Sequence, residues 1–179
     1  MATATRPARW PPMAPDRPDR GLLRDRPVRT PADLAALLTV AALAVVLFRL
    51  AQAAGRVHPL LGHLVKQVNH ALTGADLAWQ AQVGPGLRLY HPTGVVLGPF
   101  VRIGAQCRVQ QGVTVGGSGG DVRTPGDSPT LGDRVRLGAG AKVVGPVTLG
   151  DDVLVGANAV VVRSVPAGAT AVGVPARYA

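Results

Sequence analysis

Aromatic side chains make up only 3% of the 179 residues, and cysteine occurs once, at Cys107. A layered globular core relies on rings to fill space, so this scarcity points to a core of stacked aliphatic side chains. A single cysteine excludes an intramolecular disulfide framework and a cysteine zinc cage, and Cys107 reads as a small buried filler. The first thirty residues lack both an early apolar stretch and a small-residue cleavage site, so no cleaved signal peptide is expected and the expected compartment is the cytoplasm. Acidic residues are scarce as well, 10 against 19 Lys and Arg, for a net charge of +9. That charge is spread as +4 over residues 1–31, +2 over 32–75 and +3 over 76–179, so no segment is a polybasic tract. With no recognition motif or aromatic platform beside it, the charge does not imply nucleic-acid binding.

What the chain has in abundance is a beat. From Val83 an aliphatic residue returns every six positions: Val83 and Leu89, then Leu97, Ile103, Val109 and Val115, then Leu131, Leu137, Val143, Leu149, Val155 and Val161. Four residues after most beats stands a small or β-branched residue, as at Val101, Cys107, Val113, Val135, Ala141, Val147, Val153, Ala159 and Val165. A six-residue period specifies a β-helix, in which each flat face of a triangular coil is filled by one aliphatic side chain with a compact one beside it. The beat breaks twice, by a two-residue slip between Leu89 and Leu97 and by a long excursion between Val115 and Leu131. A solenoid tolerates extra residues only where they loop out, and loops on a rigid scaffold are where function concentrates.

Residues 1–31 interleave Pro with Arg and are expected to form a disordered arm. Residues 32–75 form a helical region. Thr30 offers an N-cap, Pro31 the first helical position and Asp33 a first-turn carboxylate, and the uncharged run Leu34 to Phe48 follows, closed by Arg49. Fifteen apolar residues fall short of the roughly twenty that span a bilayer. This predicts a helix packed against others in an oligomer, with peripheral membrane contact through 34–48 as the second reading. A second helix is predicted from Leu60 to Leu72, ended by Gly74. His58, His63 and His70 fall here at spacings that do not build a shared metal site, and no metal is expected.

The segments "GADLAWQAQVGPGLRLYHPTGVVLG", "VQQGVTVGGSGG", "LGAGAKVVGPVTLG", "VGANAVV" and "GVPAR" resemble the hexapeptide-repeat acyltransferases, from about Gly74 to the C-terminus. The "HPTGVVLG" and "QGVTVGG" pair is similar to the serine O-acetyltransferase branch and its sugar- or polysaccharide-acetylating relatives. The resemblance implies an all-β left-handed parallel β-helix over 76–179, acetyl-CoA as co-substrate, and a homotrimer or a multiple of it.

Transfer from a thioester to a hydroxyl needs a base with a pKa near neutrality, and His91 is the one histidine in 76–179. It stands at the first break in the beat. By resemblance Asp76, fifteen residues upstream, orients the imidazole. Resemblance also assigns Gly117 as the backbone donor to the oxyanion, and Ala139 and Ala157 as the places where the pantetheine arm pairs with backbone. Lys142 and Arg177 are candidates for the CoA phosphates, with solvated charge as the alternative for each.

Departures from the serine enzymes bear on the acceptor. Those enzymes carry an Asp immediately before the catalytic His, where this chain has Tyr90. They carry an Arg-His pair before the Pro that re-enters the β-helix, where this chain has Asp127 and Ser128 before Pro129, in a loop two residues longer. Arg123 in that loop is the cation that would restore one charge partner. The sequence also lacks the large helical N-terminal domain and the Ile-ending tail that docks cysteine synthase, so no such docking is expected. On these grounds the expected acceptor is a hydroxyl of a sugar, polysaccharide or secondary metabolite. Free serine is the alternative, and a non-catalytic β-helix scaffold the second alternative.

Overall fold

The computed structural model describes residues 39–119 and 124–178. Two helices lead into a three-sided β-solenoid, whose fifteen described strands are numbered in chain order. One face holds β1 (Asp76–Leu77), β4 (Val96–Leu97), β7 (Thr114–Gly116), β10 (Lys142–Val144) and β13 (Val160–Val161), all parallel. The second holds β2 (Gln82–Val83), β5 (Arg102–Ile103), β8 (Thr130–Leu131) and β11 (Thr148–Leu149). The third holds β3 (Arg88–Tyr90), β6 (Arg108–Gln110), β9 (Arg136–Leu137), β12 (Leu154–Val155) and β14 (Thr170–Gly173), and β15 (Ala176–Tyr178) closes it antiparallel to β14.

The register of these rungs is the six-residue beat made solid. Leu77, Leu97, Val115, Val143 and Val161 stack on the inside of the first face, Ile103, Leu131 and Leu149 inside the second, and Leu89, Val109, Leu137 and Val155 inside the third, all buried. The compact residues between beats fill the corners, and Val101, Val113, Val135, Ala141 and Val153 have no exposed surface. Burial pushes the Cys107 thiol up to about 11, and Sγ lies 3.3 Å from the Gly132 carbonyl oxygen, so the filler role holds.

Helix α1 runs from Val40 to Val57, with Thr39 Oγ1 accepting from the Ala42 amide at 3.2 Å. The expected start at Thr30 and the run from Leu34 lie partly outside the described residues. The expected stop at Arg49 is corrected, because the helix continues two further turns. Arg49 is half-buried there. Its guanidinium donates to the carbonyls of Val83 at 2.8 Å and Gly84 at 2.6 Å and to Gln52 Oε1 at 2.9 Å, pinning the helix to the solenoid's second face. Burial lowers its pKa from the ordinary arginine value.

Helix α2 spans Pro59–Thr73, with His58 as N-cap, Pro59 in the first turn, and Gly74 in the left-handed conformation (φ 73°) as C-cap. The hairpin is tight because two glycines face Trp79. A Cβ at Gly62 would come within 2.7 Å of Gly55 Cα, and one at Gly55 would enter the indole ring. Asn69 Nδ2 donates to the Ala44 carbonyl at 2.9 Å, tying the helices together through a buried amide. The outer face is left apolar and open: Val57 is 80% exposed, Leu60 70% and Leu64 62%.

Candidate functional site

The corner where the third face turns into the first organises the site. Successive coils hydrogen-bond along it: Gly94 to the Gly74 carbonyl, Gly112 to Thr93, Gly140 to Gln111, and Asn158 to Ala139, each near 2.8–3.0 Å. At this corner the two extra residues of the first break emerge as His91 and Pro92, and by Thr93 the chain is back in the ladder. His91 is exposed and adopts a left-handed backbone, φ 55°, which costs a non-glycine residue about 1–2 kcal/mol. The slip therefore lifts one imidazole out of the packed wall.

Ala139 and Ala157 lie on the same corner, two and three coils further along. Their small side chains leave the backbone accessible, although the Ala139 amide is already taken by Gln110 Oε1 at 3.0 Å. Lys142 projects from the adjoining first face in register with Thr114. Its Nζ donates to the Gly112 carbonyl at 2.5 Å and to Thr114 Oγ1 at 3.1 Å, so two of its three donors hold the wall. Arg177 is exposed on β15, at the far end of the third face.

Asp76 opens β1 on the first face, one coil below Val96. Its carboxylate meets Lys66 of α2, Nζ to Oδ1 at 2.6 Å. Among the described residues no hydrogen bond joins it to His91. Lys66 was not singled out from the sequence, since nothing local marks a lysine on a helix as the partner of a strand residue.

Gly117, Asp127 and Ser128 belong to a different edge of the prism. Gly117 follows β7 at the far side of the first face, where the long loop leaves. A 3₁₀ turn at Pro125–Asp127 brings the loop back, with Asp127 Oδ2 accepting from the Thr124 amide at 3.1 Å and from Thr124 Oγ1 at 2.7 Å. Ser128 is buried, its Oγ without a hydrogen-bond partner, beside Arg102, Thr130 and Thr148 of the second face. Arg123 lies outside the described residues. The sequence-derived residues thus fall on two different edges of the solenoid.

Beside the corner, the third face presents a row that the sequence reading passed over. Arg88, Arg108 and Arg136 occupy successive rungs in register, with Tyr90 and Gln110 paired at the next outward position. Arg88 Nη1 donates to the Tyr90 hydroxyl at 3.3 Å, and its guanidinium carbon lies 5.7 Å from the ring centre. The signal was present in "LRLY", "CRVQ" and "VRLG", where Arg falls one residue before an inward beat. A separate cleft of about 650 Å³ between α1 and the second face, lined by Arg49, Trp79 and Arg102 among others, holds none of the residues assigned to transfer.

Residues 128–163 match the bacterial transferase hexapeptide family (six repeats). The chain is 45% identical over 118 residues to the serine acetyltransferase of Mycobacterium tuberculosis, covering 65% of this chain and 50% of that one. To the serine acetyltransferase of Helicobacter pylori it is 42% identical over 118 residues, covering 65% and 67%. The structure of soybean serine acetyltransferase complexed with serine superposes with a TM-score of 0.76 at 34% identity, covering 84% of this chain and 63% of that chain. The chain spans about half the length of several curated relatives it matches.

These relatives overturn the expected sugar, polysaccharide or secondary-metabolite acceptor in favour of serine, the alternative. The expectation rested chiefly on Tyr90, Asp127 and Ser128. Physically, a cation for a carboxylate can also enter a cleft from the sheet beside it, and this chain carries arginines there. With the three-faced solenoid, the corner histidine and the relatives in agreement, the chain belongs to the serine acetyltransferase family of hexapeptide-repeat, left-handed β-helix proteins.

Proposed function

We propose that the protein transfers the acetyl group of acetyl-CoA to the hydroxyl of L-serine, giving O-acetylserine and CoA. The observation that carries this reading is the 42% identity to two thirds of the Helicobacter pylori serine acetyltransferase. The lifted His91 is its local chemical support.

In the proposed step the His91 imidazole takes the proton of the serine hydroxyl as its oxygen attacks the thioester carbonyl. The Gly117 amide of a neighbouring subunit donates to the oxyanion, and the proton then passes from the imidazolium to the departing CoA thiolate. Acetyl-CoA is the substrate whose pantetheine arm runs past Ala139 and Ala157, with Lys142 and Arg177 toward its phosphates. The fit is favourable along the corner, where alanine side chains leave room for a chain to lie against the backbone. Asp76 is assigned to orient His91, which requires its carboxylate to be shared with Lys66 or to leave it. Assembly as a homotrimer, or a multiple of it, belongs to the same reading, and the division of the assigned residues between two edges supports more than one copy.

A thiol-release assay with acetyl-CoA and a panel of L-serine, L-homoserine and glucose tests the reading. The highest kcat/KM is expected with L-serine. Release with glucose alone overturns it, and the absence of release with every acceptor overturns it in favour of a non-catalytic scaffold.

A further inference from the structure

The row of arginines on the third face has no part in the transfer just described. Three guanidinium-bearing side chains on successive rungs, about 4.8 Å apart, repel one another, and like charges directly opposite destabilise a sheet. Each of the three is half-buried, which raises the cost of its charge, and each keeps at least one contact within the protein. A guanidinium has five N–H donors, so a structural contact leaves donors for a ligand.

Position decides which ligand. The row begins at Arg88, whose head group reaches the Tyr90 hydroxyl, and Tyr90 immediately precedes His91. It extends over the first three coils, at the end of the corner where the base stands. In the proposed reading the phosphates of acetyl-CoA lie toward the opposite end, near Lys142 and Arg177. The anion that arrives at the His91 end is then the acceptor's own. Meanwhile the two loop positions before Pro129 hold Asp127 and Ser128, neither of which can hold a carboxylate as a cation does, and Arg123 is the one basic residue of that loop.

We propose that Arg88, backed by Arg108, receives the carboxylate of the amino-acid acceptor, with Tyr90 fixing the Arg88 fork. The charge that selects an amino acid over a neutral alcohol then comes from the sheet and not from the re-entrant loop. This rests on the serine reading and adds to it the residue that sets acceptor specificity.

The test compares L-serine with L-serinamide, which keeps the hydroxyl and the ammonium and lacks the carboxylate, using the full-length protein and Arg88→Met. Wild type is expected to favour L-serine by about tenfold or more in kcat/KM, as loss of a charge-assisted hydrogen bond implies. In Arg88→Met the preference should fall toward one through a raised KM for L-serine, with the KM for acetyl-CoA and the rate with L-serinamide unchanged. Arg88→Lys, which keeps the charge without the fork, should be intermediate. A retained preference in Arg88→Met, or an equal loss with both acceptors, overturns the assignment. Should wild type transfer to neither acceptor, the serine reading fails separately, and binding judges the arginine row: L-serine but not L-serinamide should raise the Tm of wild type and not that of Arg88→Met. Equal shifts, or none, overturn it.

Discussion

Lys66 Nζ lies 2.6 Å from Asp76 Oδ1, so a helix of the N-terminal hairpin reaches the strand residue proposed to orient His91. The lysine is largely covered and the carboxylate about two-fifths exposed, an intermediate setting in which an ion pair contributes about 1 kcal/mol or less. If Asp76 serves His91, the two variants separate. Asp76→Asn should lower kcat by about tenfold or more through a poorly held imidazole, at little cost in Tm. Lys66→Met should lower Tm slightly and leave kcat within about threefold, since the carboxylate it releases still carries its charge. Steady-state kinetics and thermal melts of both variants check this. Equal kinetic losses would instead make Lys66 part of the orienting apparatus.

His91 combines its proposed role as the base with a left-handed backbone, and the two can be pulled apart. His91→Ala should lose about 10²–10⁴ in kcat while acetyl-CoA still binds, because the base is removed and the corner remains. His91→Gly should be equally inactive yet melt at or above the wild-type temperature, since glycine adopts φ 55° without strain. A glycine variant less stable than the alanine variant would show that the imidazole, and not the corner, holds this turn.

Much of this molecule was legible because its period is geometric. Leu97 and Val115, and again Val143 and Val161, stand three beats apart, and the phase alone places each pair on one inner wall. Gly74 ended a helix for an equally local reason, its left-handed cap. Arg49 was misread as a terminator because its partners, the carbonyls of Val83 and Gly84, are distant in sequence. The site was legible one edge at a time. His91, Ala139 and Ala157 share a corner, but Gly117 and Asp127 lie across the prism, and no local pattern reports which edges a site would use. Acceptor identity was misjudged for a related reason. The missing cation was sought in the loop, whereas Arg88, Arg108 and Arg136 align only after the chain has coiled.

The hairpin's packing offers a test of stability apart from chemistry. A methyl group at Gly55 would enter the Trp79 ring, which also meets His63 edge-on with ring centres 6.0 Å apart. Overpacking of this kind costs about 1–3 kcal/mol. Gly55→Ala should therefore melt lower than wild type, and pairing it with Trp79→Leu should recover part of the loss. If Gly55→Ala raises Tm through better helix propensity, the close approach of helix and indole is not rigid.

Acid sensitivity should come partly from the turn ladder. Arg134 donates to Asp152 through Nε at 2.8 Å and Nη2 at 2.7 Å, and this fork holds the Asp152 carboxyl below its ordinary value while raising the arginine. A depressed folded-state pKa contributes stability above the unfolded aspartate value, near 3.9, that is lost as pH falls through the folded value. Both groups are exposed, so the contribution is small and screened by salt. Tm measured from pH 7 to pH 2 should show Asp152→Asn below wild type at neutral pH and the two curves converging at the acid end. A difference that persists at pH 2 would assign it to packing.

The open face of the hairpin decides between assembly and membrane. Leu50 is 53% exposed, Leu64 62% and Leu72 61%, and residues 40–73 carry Arg49, Arg56 and Lys66 with no acidic residue. So much apolar surface on a lone chain needs a cover. The divided site favours another copy, and Arg49 is spent on the solenoid's backbone and does not face a headgroup, although the 18 residues of α1 are by length and composition enough to cross a membrane. Light scattering should give three protomers or a multiple for wild type. Leu50→Glu with Leu64→Glu should yield a smaller species with reduced transfer activity, and neither protein should co-sediment with vesicles containing anionic lipid. Vesicle binding by wild type that the double variant loses, with the assembly unchanged in both, would instead make this face a membrane contact.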